Sequence, residues 1–261
     1  MTELAGKIAV VTGSSRGIGK AIALGLAQRG CRVVVAARSE APGKRMGTIS
    51  STAEEIRTLG GEALPVGCDV SDEVSVQEMV QTVVQHWGAI DILINNAGIG
   101  IYGPFLEIPT KLWDRIMAVN VRGTFLCSKA IAPIMIDHGR GSIINISSTA
   151  ANTVFSLTSP KEEMDRTLVG VAYGASKAAV ERMTIGLAAE FGRCNIAVNA
   201  VKPGRTVRTE TLQQLLPNSD WSAWVSPNRM VVATAFLAGQ DASGVTGVIA
   251  TDDEIILRHG L

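Results

Sequence analysis

Short runs of apolar, mostly β-branched residues recur along this chain, separated by longer stretches with helical spacing. The runs are Ile8 to Thr12, Arg32 to Ala37, Ala63 to Val70, Asp91 to Asn95, Ser142 to Ser147, Ile196 to Val201 and Val248 to Thr251. Their nearly continuous apolar character marks strands buried on both faces. Between them, apolar residues return at helical steps, as in Val76, Met79, Val80, Val83, Val84 and Trp87 after the acidic start Ser71-Asp72-Glu73. Strands that alternate with helices need crossover connections and therefore form a parallel sheet. Right-handed crossovers place helices on both of its faces. The expected fold is α/β, a doubly wound parallel sheet of Rossmann type, in one domain over residues 1–261.

Such a sheet binds ligands outside the carboxyl ends of its strands. The chemically unusual residues gather there. The glycine loop Gly13 to Gly19 follows the first run, Arg38 the second, and Asp69 ends the third. Asn95-Asn96-Ala97-Gly98 closes the fourth, Ser147-Ser148 the fifth, and Pro203-Gly204 follows the sixth.

Charge and composition exclude several classes. With 24 Lys plus Arg against 24 Asp plus Glu, the formal charge is zero, which argues against a nucleic-acid partner. The cysteines Cys31, Cys68, Cys127 and Cys194 form no CxxC pair and read as reduced thiols filling a core. His86, His138 and His259 are dispersed, so no metal site is expected. No apolar stretch is long enough for a membrane span, and a soluble cytoplasmic protein is the expectation.

Thr12-Gly13-Ser14-Ser15-Arg16-Gly17-Ile18-Gly19 lies between a strand and a helix expected over Lys20 to Arg29. There, glycines let backbone approach a pyrophosphate at a helix N-terminus. A phosphate-binding P-loop is excluded, because Gly19-Lys20 is followed by Ala21 and the opening position holds Ser14. The second strand ends Ala36-Ala37-Arg38, with no acidic residue for a ribose 2′-hydroxyl. Arg38, with Arg16 in the loop, suits a 2′-phosphate. NADP(H) is thus favoured over NAD(H), the alternative being that Arg38 is a solvated surface charge.

Tyr173 and Lys177 stand four residues apart, on one face of a helix. A nearby ammonium favours the phenolate and lowers the phenol pKa, the alternative being a surface helix pair. Ser148 leaves the fifth strand at the same rim, where its hydroxyl can meet a substrate oxygen or simply cap a helix. Asn120 interrupts a long helical region, Thr110 to Met135. A poor helix former there calls for either a buried bond or a bend.

TGSSRGIG, the CDV of Cys68 to Val70, NNAG, Asn120, ISS, YGASK and NAVKPG stand in the order and spacing of the short-chain dehydrogenase/reductase family. The chain resembles the family's single-domain branch from about Gly6 to Gly247. The resemblance implies that Tyr173 is the general acid/base and that Lys177 lowers its pKa and holds the nicotinamide ribose. It implies that Ser148 orients the carbonyl and that Asn120 supports a water linking Lys177 to solvent. Gly13, Ser15, Arg16, Gly17, Ile18 and Gly19 would hold the pyrophosphate side of the cofactor. Asp69 and Val70 would meet the adenine, Asn96, Ala97 and Gly98 would line the cleft, and Pro203-Gly204 would lie beside the nicotinamide. The implied reaction is reversible hydride transfer between NADP(H) and a ketone or secondary alcohol, with no metal. The alternatives are a catalytically silent NADP(H)-binding regulator, and a sugar-nucleotide epimerase, for which too little chain remains.

The sequence departs from the family pattern in several places. Ser148 and Tyr173 are 25 positions apart, about twice the usual spacing. The extra segment, residues 153–168, reads equally as a wall of the substrate pocket or as a solvent-facing excursion. After Pro203-Gly204 the chain is one residue longer than usual, leaving Val207 and Thr209 as the candidates near the carboxamide. An arm over residues 39–50 carries Lys44 and Arg45. The usual Asp-Gly-Gly ending is replaced by Ala250-Thr251-Asp252-Asp253-Glu254 and an apolar run, Ile255 to Leu257, which weakens the expectation of a homo-oligomer, tetramer or dimer. Residues 206–230, with Leu212, Leu215, Leu216, Trp221 and Trp224, read as a lid over an apolar pocket, favouring a hydrophobic small-molecule substrate.

Overall fold

Seven strands form one parallel sheet in the order β3-β2-β1-β4-β5-β6-β7. They are β1 (Ile8–Thr12), β2 (Arg32–Ala37), β3 (Glu62–Gly67), β4 (Ile92–Asn95), β5 (Gly141–Ile146), β6 (Ile196–Lys202) and β7 (Ile249–Thr251). The computed structural model describes residues 4–38, 47–100, 104–153, 170–215, 218 and 220–261. The doubly wound Rossmann-like architecture expected from the sequence is the observed one. The strand order reverses between β1 and β4, the switch point where such sheets open a crevice for a ligand.

Helices cover both faces. On one, α1 (Gly17–Ala27), α2 (Ile49–Thr58) and α8 (Asn228–Ala238) close a core containing Val11, Ile22, Ile56, Ile94, Met230 and Leu237. On the other, α3 (Glu73–Trp87), α5 (Gly123–Asp137) and α6 (Val171–Phe191) pack over Val10, Met79, Leu93, Ile131, Ile143 and Val198. α3 starts because the Asp72 side chain accepts the Val74 N–H, and it stops at Gly88, whose φ of 82° is open to glycine.

Three expectations need correction. β3 is an edge strand with exposed ends and half-buried interior residues, including Pro65, which an edge tolerates because it owes no second ladder bond. It stops at Gly67, so Asp69 sits in the following loop and not at the strand end. The region from Thr110 is not one helix: α4 (Thr110–Ile116) passes through a π-helical turn, Met117–Arg122, before α5 begins. The residues after β7 form α9 (Asp252–His259). Thr251 and Glu254 cap it reciprocally, each side chain bonding the other's backbone N–H. α7 (Glu210–Leu215) is a short helix in the stretch read as a lid. Of the cysteines, Cys31, Cys68 and Cys127 are buried as expected, while Cys194 is half-buried.

Candidate active site

A cleft of about 790 Å³ lies along the carboxyl rim of the sheet. The glycine loop forms one wall, and close packing explains its composition. A side-chain Cβ at Gly13 would fall 2.8 Å from the Ala97 Cα, and one at Gly19 would fall 2.3 Å from the Asn96 amide nitrogen and 2.5 Å from the Gly13 carbonyl. Gly17 has a φ of 58°. The loop is tied across the switch point: the Thr12 hydroxyl accepts the N–H groups of Asn96 and Ala97, both at 3.0 Å, and the Asn96 amide donates to the Thr12 carbonyl at 2.8 Å. The bare backbone at the start of α1 thus faces the cleft, the arrangement that receives a pyrophosphate.

Every residue named for the cofactor borders this cleft except Lys177, which lies behind it. Ser15, Arg16, Ile18, Arg38, Asp69, Val70, Gly98, Pro203, Gly204, Val207 and Thr209 line it together with the loop glycines, Asn96, Ala97 and Tyr173. Arg38 reaches Asp69 at 3.7 Å, with both side chains partly exposed. Burial works to raise the Asp69 pKa, but the Ser71 hydroxyl and amide, with Arg38, hold it below the ordinary carboxylate value. Val207 pairs with Val225 as an isolated parallel bridge, which pins the start of the stretch 206–230 to its later part.

Tyr173 and Ser148 line the same cleft. Ser148 has an extended backbone and its hydroxyl oxygen accepts the Ala150 N–H at 3.2 Å, capping the turn Thr149–Ala151. Its own hydroxyl hydrogen is therefore not needed for the cap. One turn along α6, Lys177 is buried. Its ammonium donates to the Ile146 carbonyl at 2.7 Å and stands 5.8 Å from the Tyr173 ring centre. Desolvation alone pulls its pKa down to about 8. Asn120, in the π-helical turn, accepts the Ile99 N–H at 2.8 Å and donates to the Ile99 carbonyl and the Ser176 hydroxyl, each at 3.0 Å. The buried-bond reading of this residue is the observed one, and the bonds fall where the helix widens into a π-helical turn. Ser176 in turn donates to the Tyr173 carbonyl at 2.7 Å. Asn120 and Lys177 both approach Gly98, where a Cβ would be 3.4 Å and 3.6 Å from them.

Some site features escaped the sequence reading. Glu210, at the start of α7, accepts the Gly17 N–H at 3.2 Å, the same N-terminus an incoming anion would use. Asp252 accepts the Gly204 N–H at 2.8 Å, and Asp253 pairs with Arg205 and Arg229, so the C-terminal α9 braces the Pro203-Gly204 loop. Glu181 and Lys202 form a buried pair beside Ser147. Among the described residues, no cluster of His, Cys, Asp and Glu could hold a metal, and no helix is long and apolar enough to cross a membrane.

A parallel seven-stranded sheet with this cleft and this Ser, Tyr and Lys geometry defines a nucleotide-dependent oxidoreductase class. The family model for short chain dehydrogenases matches residues 7–220, and the chain belongs to that family of NAD(P)-binding oxidoreductases. It is 35% identical to glucose 1-dehydrogenase 2 of Bacillus subtilis, over 94% of this chain and 92% of that protein. It is 35% identical to the human (Homo sapiens) hydroxysteroid dehydrogenase-like protein 2 over 99% of its own length, yet spans only 59% of that relative. Among solved structures it resembles a gluconate 5-dehydrogenase of Burkholderia cenocepacia in complex with NADP and tartrate, with 29% identity, a TM-score of 0.80, and 96% and 95% of the two chains covered.

Proposed function

We propose that the protein is an NADP(H)-dependent oxidoreductase that interconverts a ketone and a secondary alcohol. The observation carrying this reading is that Ser148 and Tyr173 border the same cleft as the glycine loop, with the buried Lys177 ammonium directly behind the Tyr173 ring. The glycine loop fits a dinucleotide because its backbone is bared at the N-terminus of α1, where Cβ atoms would close the cradle. When bound, the cofactor supplies or accepts a hydride at the substrate carbon.

The chain's own residues do the rest. Ser148 donates its free hydroxyl hydrogen to the substrate oxygen, and Tyr173 gives or takes the proton on that oxygen. Lys177 favours the Tyr173 phenolate through its positive charge, and its depressed pKa places loss of that charge near pH 8 in the free protein. Asn120 acts from behind, holding Ile99 and Ser176 and with them the cleft wall and the first turn of α6. Arg38 and Arg16 both line the cleft and could pair with a 2′-phosphate, which supports NADP(H) as the preferred cofactor and NAD(H) as the lesser one.

A hydrophobic small-molecule substrate fits the described part of the lid over 206–230, where Leu212 and Val207 face the cleft and the Trp221 and Trp224 rings stand 6.3 Å apart. Leu216 and the Leu215 side chain lie outside the described residues. So do all of the insertion 153–168 but Thr153, and all of the arm 39–50 but its last residues. One catalytic domain over 1–261, a cytoplasmic location and a homo-oligomer, dimer or tetramer, complete the proposal. The silent-regulator reading gains no support, since the chain retains Asn120, Ser148, Tyr173 and Lys177.

The test is a panel of ketones, diketones, acyl thioesters, steroids and sugar lactones, with NADPH and NADH consumption followed by absorbance. Tyr173→Phe should lose at least about a hundredfold in kcat, within the span typical of removing a general acid. Full activity in that variant would overturn the mechanism.

A further inference from the structure

Behind the rim, away from the lining of the cleft, lies a charged pair that the proposed chemistry does not use. Glu181 on α6 and Lys202 at the end of β6 are 2.9 Å apart, with side chains only 12% and 7% exposed. A buried ion pair is a poor choice for stability alone, because apolar residues of similar volume usually serve as well or better. Its partners are informative. The Ser147 hydroxyl donates to the same Glu181 oxygen at 2.8 Å, and the Lys202 ammonium donates to the Asn152 side-chain oxygen at 3.2 Å.

Ser147 and Asn152 bracket Ser148 and its turn, Thr149–Ala151. Ser147 is also held from β6 through its N–H to the Val201 carbonyl at 2.9 Å. One ion pair therefore grips both ends of the segment that presents the Ser148 hydroxyl. A hydroxyl at the tip of a turn between a strand and a helix needs such anchoring, since a displacement of about 1 Å can cost on the order of a hundredfold in rate.

We propose that Glu181 and Lys202 are positioning residues that fix the Ser148 hydroxyl against the substrate oxygen by clamping Ser147 and Asn152. This rests on the role given to Ser148 above. The decisive variant is Glu181→Met/Lys202→Met, which removes both charges together so that neither is stranded and leaves the Ser147 hydroxyl's lost acceptor as its main cost in stability. Its Ala150 and Ala151 amides, bonded to the Ser148 hydroxyl and carbonyl, should exchange with solvent at least about tenfold faster. With NADPH and the best ketone of the panel, kcat should fall at least about tenfold while the NADPH Kd stays within about twofold, because neither residue lines the cleft. In a Ser148→Ala background the same pair of substitutions should cost nothing further.

Unchanged amide exchange, wild-type kcat, or losses that multiply in the Ser148→Ala background would each overturn the clamp alone. Full turnover by Ser148→Ala itself would overturn both the role of that hydroxyl and the clamp that serves it. The exchange measurement needs no turnover, so the two failures are distinguishable.

Discussion

Replacing Asn120 by alanine tests how the π-helical turn and the cleft wall depend on each other. The side chain is 1% exposed and its carboxamide satisfies both backbone groups of Ile99. Removing it leaves an N–H and a carbonyl without their partner, each costing about 1–3 kcal/mol when buried. Ile99 is only half-buried, so water can recover part of this, and the lower value applies to each group. Losing the bond to Ser176 and leaving a small void adds about 1 kcal/mol. The total is about 3 kcal/mol, a substantial part of a typical domain's stability. For a chain of this size it corresponds to a fall in Tm of about 6–12 °C. Calorimetry measures the total, and amide exchange at Ile99 isolates the local part. A variant that melts within about 2 °C of the wild type with Ile99 still protected would refute the reasoning.

Arg38→Ala should weaken NADPH binding about tenfold, or about 1.4 kcal/mol, and leave NADH unchanged; an unaltered preference would sink the 2′-phosphate assignment. Glu210→Gln should tighten NADPH binding severalfold, because its carboxylate occupies the N-terminus of α1 that the pyrophosphate needs. Equal or weaker binding would show that the carboxylate does not compete. Lys177 carries a pKa near 8 in the native protein against the ordinary 10.5, so between those values the unfolded chain holds a proton that the native one has released. Stability of the wild type relative to Lys177→Met should therefore rise from pH 8 to pH 10.5, by roughly 3 kcal/mol in urea titrations. A difference that stays flat with pH would contradict the burial argument.

The sheet was legible because a strand covered on both faces writes an unbroken apolar run. Ile8–Thr12 and Arg32–Ala37 coincide with β1 and β2 to the residue. The rule weakens at an edge, where β3 carries Glu62 and Pro65 and its ends had to be misjudged. Asn120 announced itself by being wrong for a helix, but only coordinates reveal that Ile99 is its partner. Tyr173, Lys177 and the glycine loop could be picked out because their chemistry is visible in their spacing, and Ser148 because it follows the fifth strand at the same rim. Glu181, Lys202, Glu210 and Asp252 could not, since each acts through a contact with a residue at least 21 positions away, and no local pattern encodes such a meeting.

The bond from Asp252 to the Gly204 amide has a consequence for how the molecule is made. By the time a ribosome has delivered the glycine loop, Ser148, Tyr173 and Lys177, five of the seven strands have already been synthesised. The Pro203-Gly204 corner still lacks its brace until synthesis has run past β7 and the first turn of α9. A chain cut before Thr251 would thus keep every residue assigned to the chemistry and yet present an unfinished wall beside it.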